Sequence, residues 1–428
     1  MLKRSDFPER RYLITDFGAR EADVLQTEAI QAAMDACYKA GGGRVVVPAG
    51  RFMTGDIRLR SGVMLYLESG AILKGSPNPE DYMNYLSDTI DPLPPYTGDP
   101  EKRSVDPYSR WNSGLIKAVG AEKIAIVGEP GSYIDGSNVF DDQGEEGYRG
   151  PHAINMHYCR DILFEGYTIV DSGNWAHNIC VSQNITARNL KVLGGHDGFD
   201  VRTCDNILIE YCNFYTGDDC IAGFDNYNVH VHDCILDSSC STLRFGGTKV
   251  LVENCKTVAP ARFGHRYNMT LEEKKCNILP GPHCRHNMHT PFLYYCDFRA
   301  DIRHTPGDIL VRNCEFVNPD TFFRLSWGHK WSCNRSLAQI KFENCRATGL
   351  SEPIDILADG EEPIDFELEN CVLSPREGFE DVAFMEATNF KKITLKNLRL
   401  EGYTNPVIRT HTQGEIILEN TPVVVKEV

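Results

Sequence analysis

From about residue 160 the chain repeats short runs in which apolar and polar side chains alternate. ILFEGYTI, ITARNLKV, ILIEYCNF, VHVHDCIL and VLVENCKT follow one another, and ILVRNCEF, IKFENCRA, FELENCVL, ITLKNLRL and IILENTPV come later. Alternation with period two marks a strand that buries one face. The runs return about every 22 residues, as in architectures whose repeats pack only on their neighbours. Aligned, they place Tyr167, Leu190, Cys212, Cys234 and Cys255 in one column, continued by Cys314, Cys345, Cys371, Leu398 and Thr421. The pattern predicts an all-β solenoid. A two-layer sandwich also has many short strands, but a steady period with Asn-Cys corners favours stacked coils.

Ahead of the repeats, residues 13–20 read as a strand and turn. Thr27 is placed to cap a helix over Glu28–Ala40 that Gly41 ends, with Ile30, Ala33, Met34 and Cys37 as its apolar stripe. A solenoid exposes an open apolar end, so residues 13–55 are expected to form an N-terminal strand and capping helix. Further short strands are expected at 44–50, 63–69, 124–128 and 133–136. The periodicity lapses at 85–111 and 256–307, which read as loop excursions from the coil. No linker separates domains, and residues 1–428 are expected to form one.

Two columns carry candidate chemistry. Seven residues beyond the Cys column come Asp197, Asp219, Ser241 and Arg262; six beyond it come His196, Asp218 and Cys240. In stacked coils, same-column residues lie about 4.8 Å apart, so three carboxylates are expected in one patch. Like charges that close are costly unless they serve a purpose or share a proton. Asp218 and Asp219 cannot both face outward from a regular strand, and Gly217 before them permits an irregular backbone. Turn and capping roles are the alternative for these aspartates.

The bulk properties narrow the partners. A net charge of −16 argues against nucleic acid or an anionic membrane as the main partner. Residues 262–304 are locally basic, with seven Lys/Arg and five His against four Asp/Glu, which suits either a solvated loop face or an anion-recognising rim. No apolar leader follows Met1-Leu2-Lys3-Arg4, and no run approaches the ~18 apolar residues of a membrane span. Six of the 16 cysteines occupy the repeat column, where free thiols behave as small hydrophobes. Reduced thiols and a cytoplasmic location are therefore expected.

The run TGDDCIA (216–222), the Asp-Gly-Phe-Asp of 197–200, and Asp171-Ser172 followed by Trp175 and His177 resemble the polygalacturonase family, glycoside hydrolase family 28. The N-terminal DFGA…TEAIQAAMDAC…GGGRVVVPAGRF and Arg149–Pro151 resemble it too, in the same order along the chain. The resemblance implies a right-handed parallel β-helix and hydrolysis with inversion, without a cofactor or a metal. It assigns Asp218 as general acid, with Asp197 and Asp219 activating water. Inverting enzymes usually hold acid and base roughly 6.5–9.5 Å apart.

Three departures bear on the substrate. The family's Asn-Thr-Asp is Gly195-His196-Asp197, its Gly-His-Gly is Ser239-Cys240-Ser241, and its Arg-Ile-Lys is absent. Arg244 and Arg262 are candidate replacement cations, against the alternative that they only balance charge; Lys274 and Lys275 lie near the expected place. His196 either substitutes for the missing histidine or serves as a turn residue. Trp175 either stacks on a sugar or packs in its turn. His283 to His289 reads as substrate-loop histidines in preference to a zinc site, since His286 and His289 lack an evident fourth partner. An exo-acting hydrolase of short pectin-derived or related oligosaccharides is expected. A lyase or epimerase on the same scaffold and a non-catalytic carbohydrate-binding β-helix are the alternatives.

Overall fold

The computed structural model describes residues 1–82, 110–266, 285–297, 302–329 and 332–428. Most of the expected excursion at 85–111, and the 267–284 and 298–301 parts of the second one, lie outside the described residues. Lys274, Lys275, His283 and Cys284 fall there as well.

Two compact units share the described chain. The first comprises Met1–Asp200, Cys204–Asn213 and Arg266; the second comprises Val201–Thr203, Phe214–His265 and the described residues from Arg285 to Val428. Near the start of the first, after the strands Arg11–Leu13 and Ala22–Leu25, comes the helix Thr27–Lys39, whose buried residues are Ile30, Ala33, Met34 and Cys37. These four are the stripe that the sequence predicts. The N-cap is Gln26, one residue earlier than expected, because the Thr27 hydroxyl instead accepts the Gly55 N–H at 2.8 Å.

Each coil of the first unit lays down three parallel strands. One row runs through Val63–Leu67, Glu122–Gly128, Arg160–Glu165, Gln183–Arg188 and Asp205–Glu210. Its register stacks Ile124, Ile162, Ile185 and Ile207, all nearly without solvent exposure. Burying each such side chain contributes about 1.5–3 kcal/mol. A second row pairs Gly114–Val119, His152–His157 and His177–Cys180. A third runs from Gly50–Thr54 to Lys191–Gly194.

The second unit repeats the plan. Ile221–His232 pairs with Ser241–Glu253, which pairs with both Thr290–Tyr294 and Gly307–Arg312. Cys234, Cys255, Cys314, Cys345 and Cys371 occupy successive corners, since the carbonyl of each accepts the N–H following the next one at 2.9–3.0 Å. Every one is buried and donates its thiol to the carbonyl two residues back. The fourteen described cysteines are all free. The residue before each column cysteine has φ between 53° and 55°, a left-handed corner that Asn and Asp tolerate best. That explains the Asn-Cys signature.

The register corrects one reading of the sequence. Ser241 pairs with Thr290, and the His289 N–H donates to the Cys240 carbonyl at 2.7 Å. Thr290 and His289, and not Arg262, therefore continue the two columns. The chain leaves the coil after Lys256–Val258 and rejoins it at Thr290–Tyr294, so counting a fixed period across that excursion selects the wrong residue.

Candidate active site

In the first unit, His196 and Asp197 follow the strand Lys191–Gly194 and are 3% and 2% exposed. The Asp197 carbonyl accepts the Ala176 N–H at 2.8 Å, and the His196 ring lies 6.4 Å from that of Tyr148. Both line a small pocket with Ser172 and Asn174. Trp175 is 6% exposed, edge-on to Trp111 at 5.3 Å and tilted against His152 at 5.4 Å. Of its two alternatives this is the packed one, since a sugar platform needs an open face.

His177 is fully buried. Its Nδ1 is 2.9 Å from the Gly198 carbonyl, which only accepts, so Nδ1 carries the proton. Nε2 then accepts from the Tyr167 hydroxyl at 2.9 Å. Burial holds the ring neutral and pushes its pKa down to about 4, against a smaller opposing effect of the Gly198 hydrogen bond.

In the second unit, Asp218 and Asp219 sit in the corner between Asn213–Thr216 and Ile221–His232, 4% and 1% exposed. Pointing both from a corner avoids the alternation a strand would impose. Thr216 and Ser238 hydroxyls both donate to the Asp218 carbonyl, at 2.8 and 2.7 Å. The Asp219 carboxylate is engaged at each oxygen: Oδ1 accepts the Ser241 N–H at 3.1 Å, and Oδ2 faces Arg244 Nε at 2.6 Å. The Arg244 guanidinium lies 4.3 Å from the Tyr295 ring centre, a cation–π contact that fixes its plane.

Two features near Asp218 were not singled out in the sequence. His265, from the loop after Lys256–Val258, places Nδ1 3.9 Å from an Asp218 oxygen and 3.1 Å from the Gly217 carbonyl. Arg285 donates to the Ser239 carbonyl at 3.2 Å and reaches Cys240 Sγ at 3.4 Å. Its other nitrogen contacts His289 Nε2. A guanidinium only donates, so His289 accepts there and turns Nδ1 toward Asp320 at 3.5 Å. Burial pushes the Asp320 carboxyl up, but hydrogen bonds from His289 and Asn287 with the Arg376 charge outweigh it and hold the pKa low. The motif HCRHNMH and the locally basic stretch 262–304 were the sequence signals for this brace, and that stretch alone covered His265.

Cys240 is half-buried, and burial together with Asp219 and Asp218 raises its pKa well above that of an ordinary thiol. Arg262 is exposed, with its N–H on Asp237 at 2.9 Å and its guanidinium 5.5 Å from the Phe263 ring.

A parallel β-helix with an aspartate doublet at a coil corner defines the class. Residues 37–241 match the model of glycosyl hydrolases family 28. The chain is 30% identical over 232 residues to a probable polygalacturonase of Vitis vinifera, spanning 50% of this chain and 45% of that protein. It is 49% identical over 70 residues to an exo-poly-alpha-D-galacturonosidase of Dickeya chrysanthemi, spanning 16% and 11%. The chain thus matches less than half the length of these curated relatives. The solved exopolygalacturonase of Thermotoga maritima superposes with a TM-score of 0.68 at 19% identity, over 92% of this chain and 93% of that one. The fold is the right-handed parallel β-helix.

Proposed function

We propose that the chain is a glycoside hydrolase of the polygalacturonase type, inverting and exo-acting on short pectin-derived or related oligosaccharides, and working in the cytoplasm. The observation that carries the reading is the asymmetry of the doublet. Asp219 has both oxygens engaged by Ser241 and Arg244, which suits a fixed anion that orients water. An ionised Asp219 makes it costly to ionise Asp218 as well, so Asp218 is the member that carries a proton to the glycosidic oxygen. Asp197, which occupies the same repeat column as Asp219 one repeat earlier, takes the second share of the water.

Arg285 is the cation best placed to recognise an acidic sugar. It lies on Cys240, where the family's histidine is replaced, and His289 with Asp320 braces it. Arg244 is committed to Asp219, and Arg262 lies outside the column. The names of the relatives in Vitis vinifera and Dickeya chrysanthemi support a galacturonate substrate and, for the second, exo action. The free thiols support a reducing compartment, and no described helix is long and apolar enough to cross a membrane.

Incubation with oligogalacturonides, and with neutral oligosaccharides as control, tests the reading. Release of saturated sugar from one chain end, only from the acidic series, is expected. A product absorbing in the ultraviolet would indicate elimination by a lyase and overturn the proposal, and random shortening would overturn exo action.

A further inference from the structure

The loop that follows Lys256–Val258 is pinned along its backbone. The Ala259 N–H donates to the Val317 carbonyl at 3.0 Å, the Ala261 N–H to that of His286 at 2.7 Å, and the His265 N–H to that of Arg285 at 2.9 Å. The Arg262 N–H donates to Asp237 at 2.9 Å. The Ala261 carbonyl accepts from His286 Nδ1 at 2.9 Å, and the Phe263 carbonyl accepts the Ser239 hydroxyl. Side chains carried on backbone held this way are ordered before a ligand arrives, which lowers the cost of binding one.

Arg262 is exposed on this loop, and its guanidinium lies 5.5 Å from the Phe263 ring centre. The contact is of the same kind as that of Arg244 with Tyr295 at 4.3 Å, in which an aromatic face supports a cation. What differs is the anion. Arg244 has Asp219, and Arg303, Arg312, Arg324 and Arg335 each have a carboxylate within 2.9 Å. Among the described residues no carboxylate oxygen comes within 4.0 Å of the Arg262 guanidinium, and Asp237 meets only its main-chain N–H. In a chain of net charge −16, a supported cation without an internal partner suits an anion from outside.

The loop stands on the acid's side of the doublet. Asp219 turns its oxygens to Ser241 and Arg244, whereas the loop reaches Asp218 through His265, 3.9 Å from its carboxyl. In an inverting displacement acid and water act from opposite faces of the sugar, so the acid's side is where the leaving residue departs. Arg262 is three residues from His265, no more than about 11 Å of chain. We propose that Arg262, supported by Phe263, binds the carboxylate of the uronate sugar on the leaving-group side of the scissile bond. The site thereby favours substrates with at least two acidic sugars. This assignment rests on the functional reading above.

Kinetics of wild type and Arg262→Ala on α-linked trigalacturonate and on 4-nitrophenyl α-galacturonide test it, because the aryl leaving group carries no carboxylate. KM for trigalacturonate is expected to rise about threefold or more in the variant, with KM for the aryl substrate nearly unchanged. Arg262→Lys should recover part of the loss, and Phe263→Leu should repeat it more weakly. The melting temperature should not move, since the guanidinium is exposed. An equal rise on both substrates, or a rise on neither, would overturn the proposal. If the wild type cleaves neither substrate, the functional reading fails, and calorimetry decides the cation separately. Arg262→Ala should then bind trigalacturonate about threefold or more weakly and neutral galactotriose unchanged. Equal trigalacturonate affinities in variant and wild type would overturn the site.

Discussion

Arg244 lies 2.6 Å from Asp219, with 13% and 2% of the two side chains exposed. A buried ion pair adds little net stability, but removing one partner strands the other and costs about 3–5 kcal/mol. Arg244→Ala should therefore lower the melting temperature and reduce kcat, with KM changing less than threefold. A variant of wild-type stability with a tenfold higher KM would show that Arg244 binds substrate and does not hold Asp219.

Arg285 should behave in the opposite way. Arg285→Ala is expected to raise KM for an acidic oligosaccharide at least tenfold, about 1.4 kcal/mol, without lowering the melting temperature. Asp320→Asn weakens the His289 end of the brace and should give a smaller KM increase in the same direction. Equal losses on acidic and neutral substrates would contradict recognition of an anion.

His177 should make stability depend on pH. Unfolded histidine titrates near 6.5, whereas burial holds the folded group at about 4. Above pH 6.5 both states are neutral and this stability is fully present. As pH falls from 6.5 to 4, the unfolded chain takes up the proton first, and about 3 kcal/mol is lost. Chemical denaturation of wild type and His177→Gln across that range checks this, and the variant should show a flatter slope. Parallel slopes would refute it.

Asn344 tests the corner that defines the repeat. Its φ is 54°, and its side chain donates to Asn313 at 3.3 Å. Asn344→Ala should cost about 1–2 kcal/mol, while Asn344→Gly should cost less. Equal effects would locate the contribution in the side-chain contact instead of the backbone.

The fold was legible because its physics is local and repeated. Alternation, the Asn-Cys corners and the helix stripe at Ile30, Ala33, Met34 and Cys37 each follow from short-range rules. Asp218 and Asp219 were legible because a doublet at a coil corner interrupts that regularity. What escaped lies in the excursion after Val258. A fixed period counts Arg262 into the aspartate column, but the coil resumes at Thr290. His265 and Arg285 reach the site from loop backbone, whose path no periodicity encodes. A register likewise places Arg244 near Asp219 but does not say which oxygen it faces.

In the proposed mechanism Asp218 acts as acid on a water-mediated displacement. The carboxylates of Asp218 and Asp219 lie within 4.8 Å, shorter than the roughly 6.5–9.5 Å usual for inverting enzymes and nearer the ~5–5.5 Å of retaining ones. Asp219, with each oxygen engaged, is a poor nucleophile, so the account still requires inversion. The most direct measurement is proton NMR of the first product anomer released from an α-linked oligogalacturonide, with Asp218→Asn as control. The β-anomer is expected first, with loss of nearly all turnover in the variant. An α-anomer formed first, or activity within tenfold of wild type in Asp218→Asn, would contradict it.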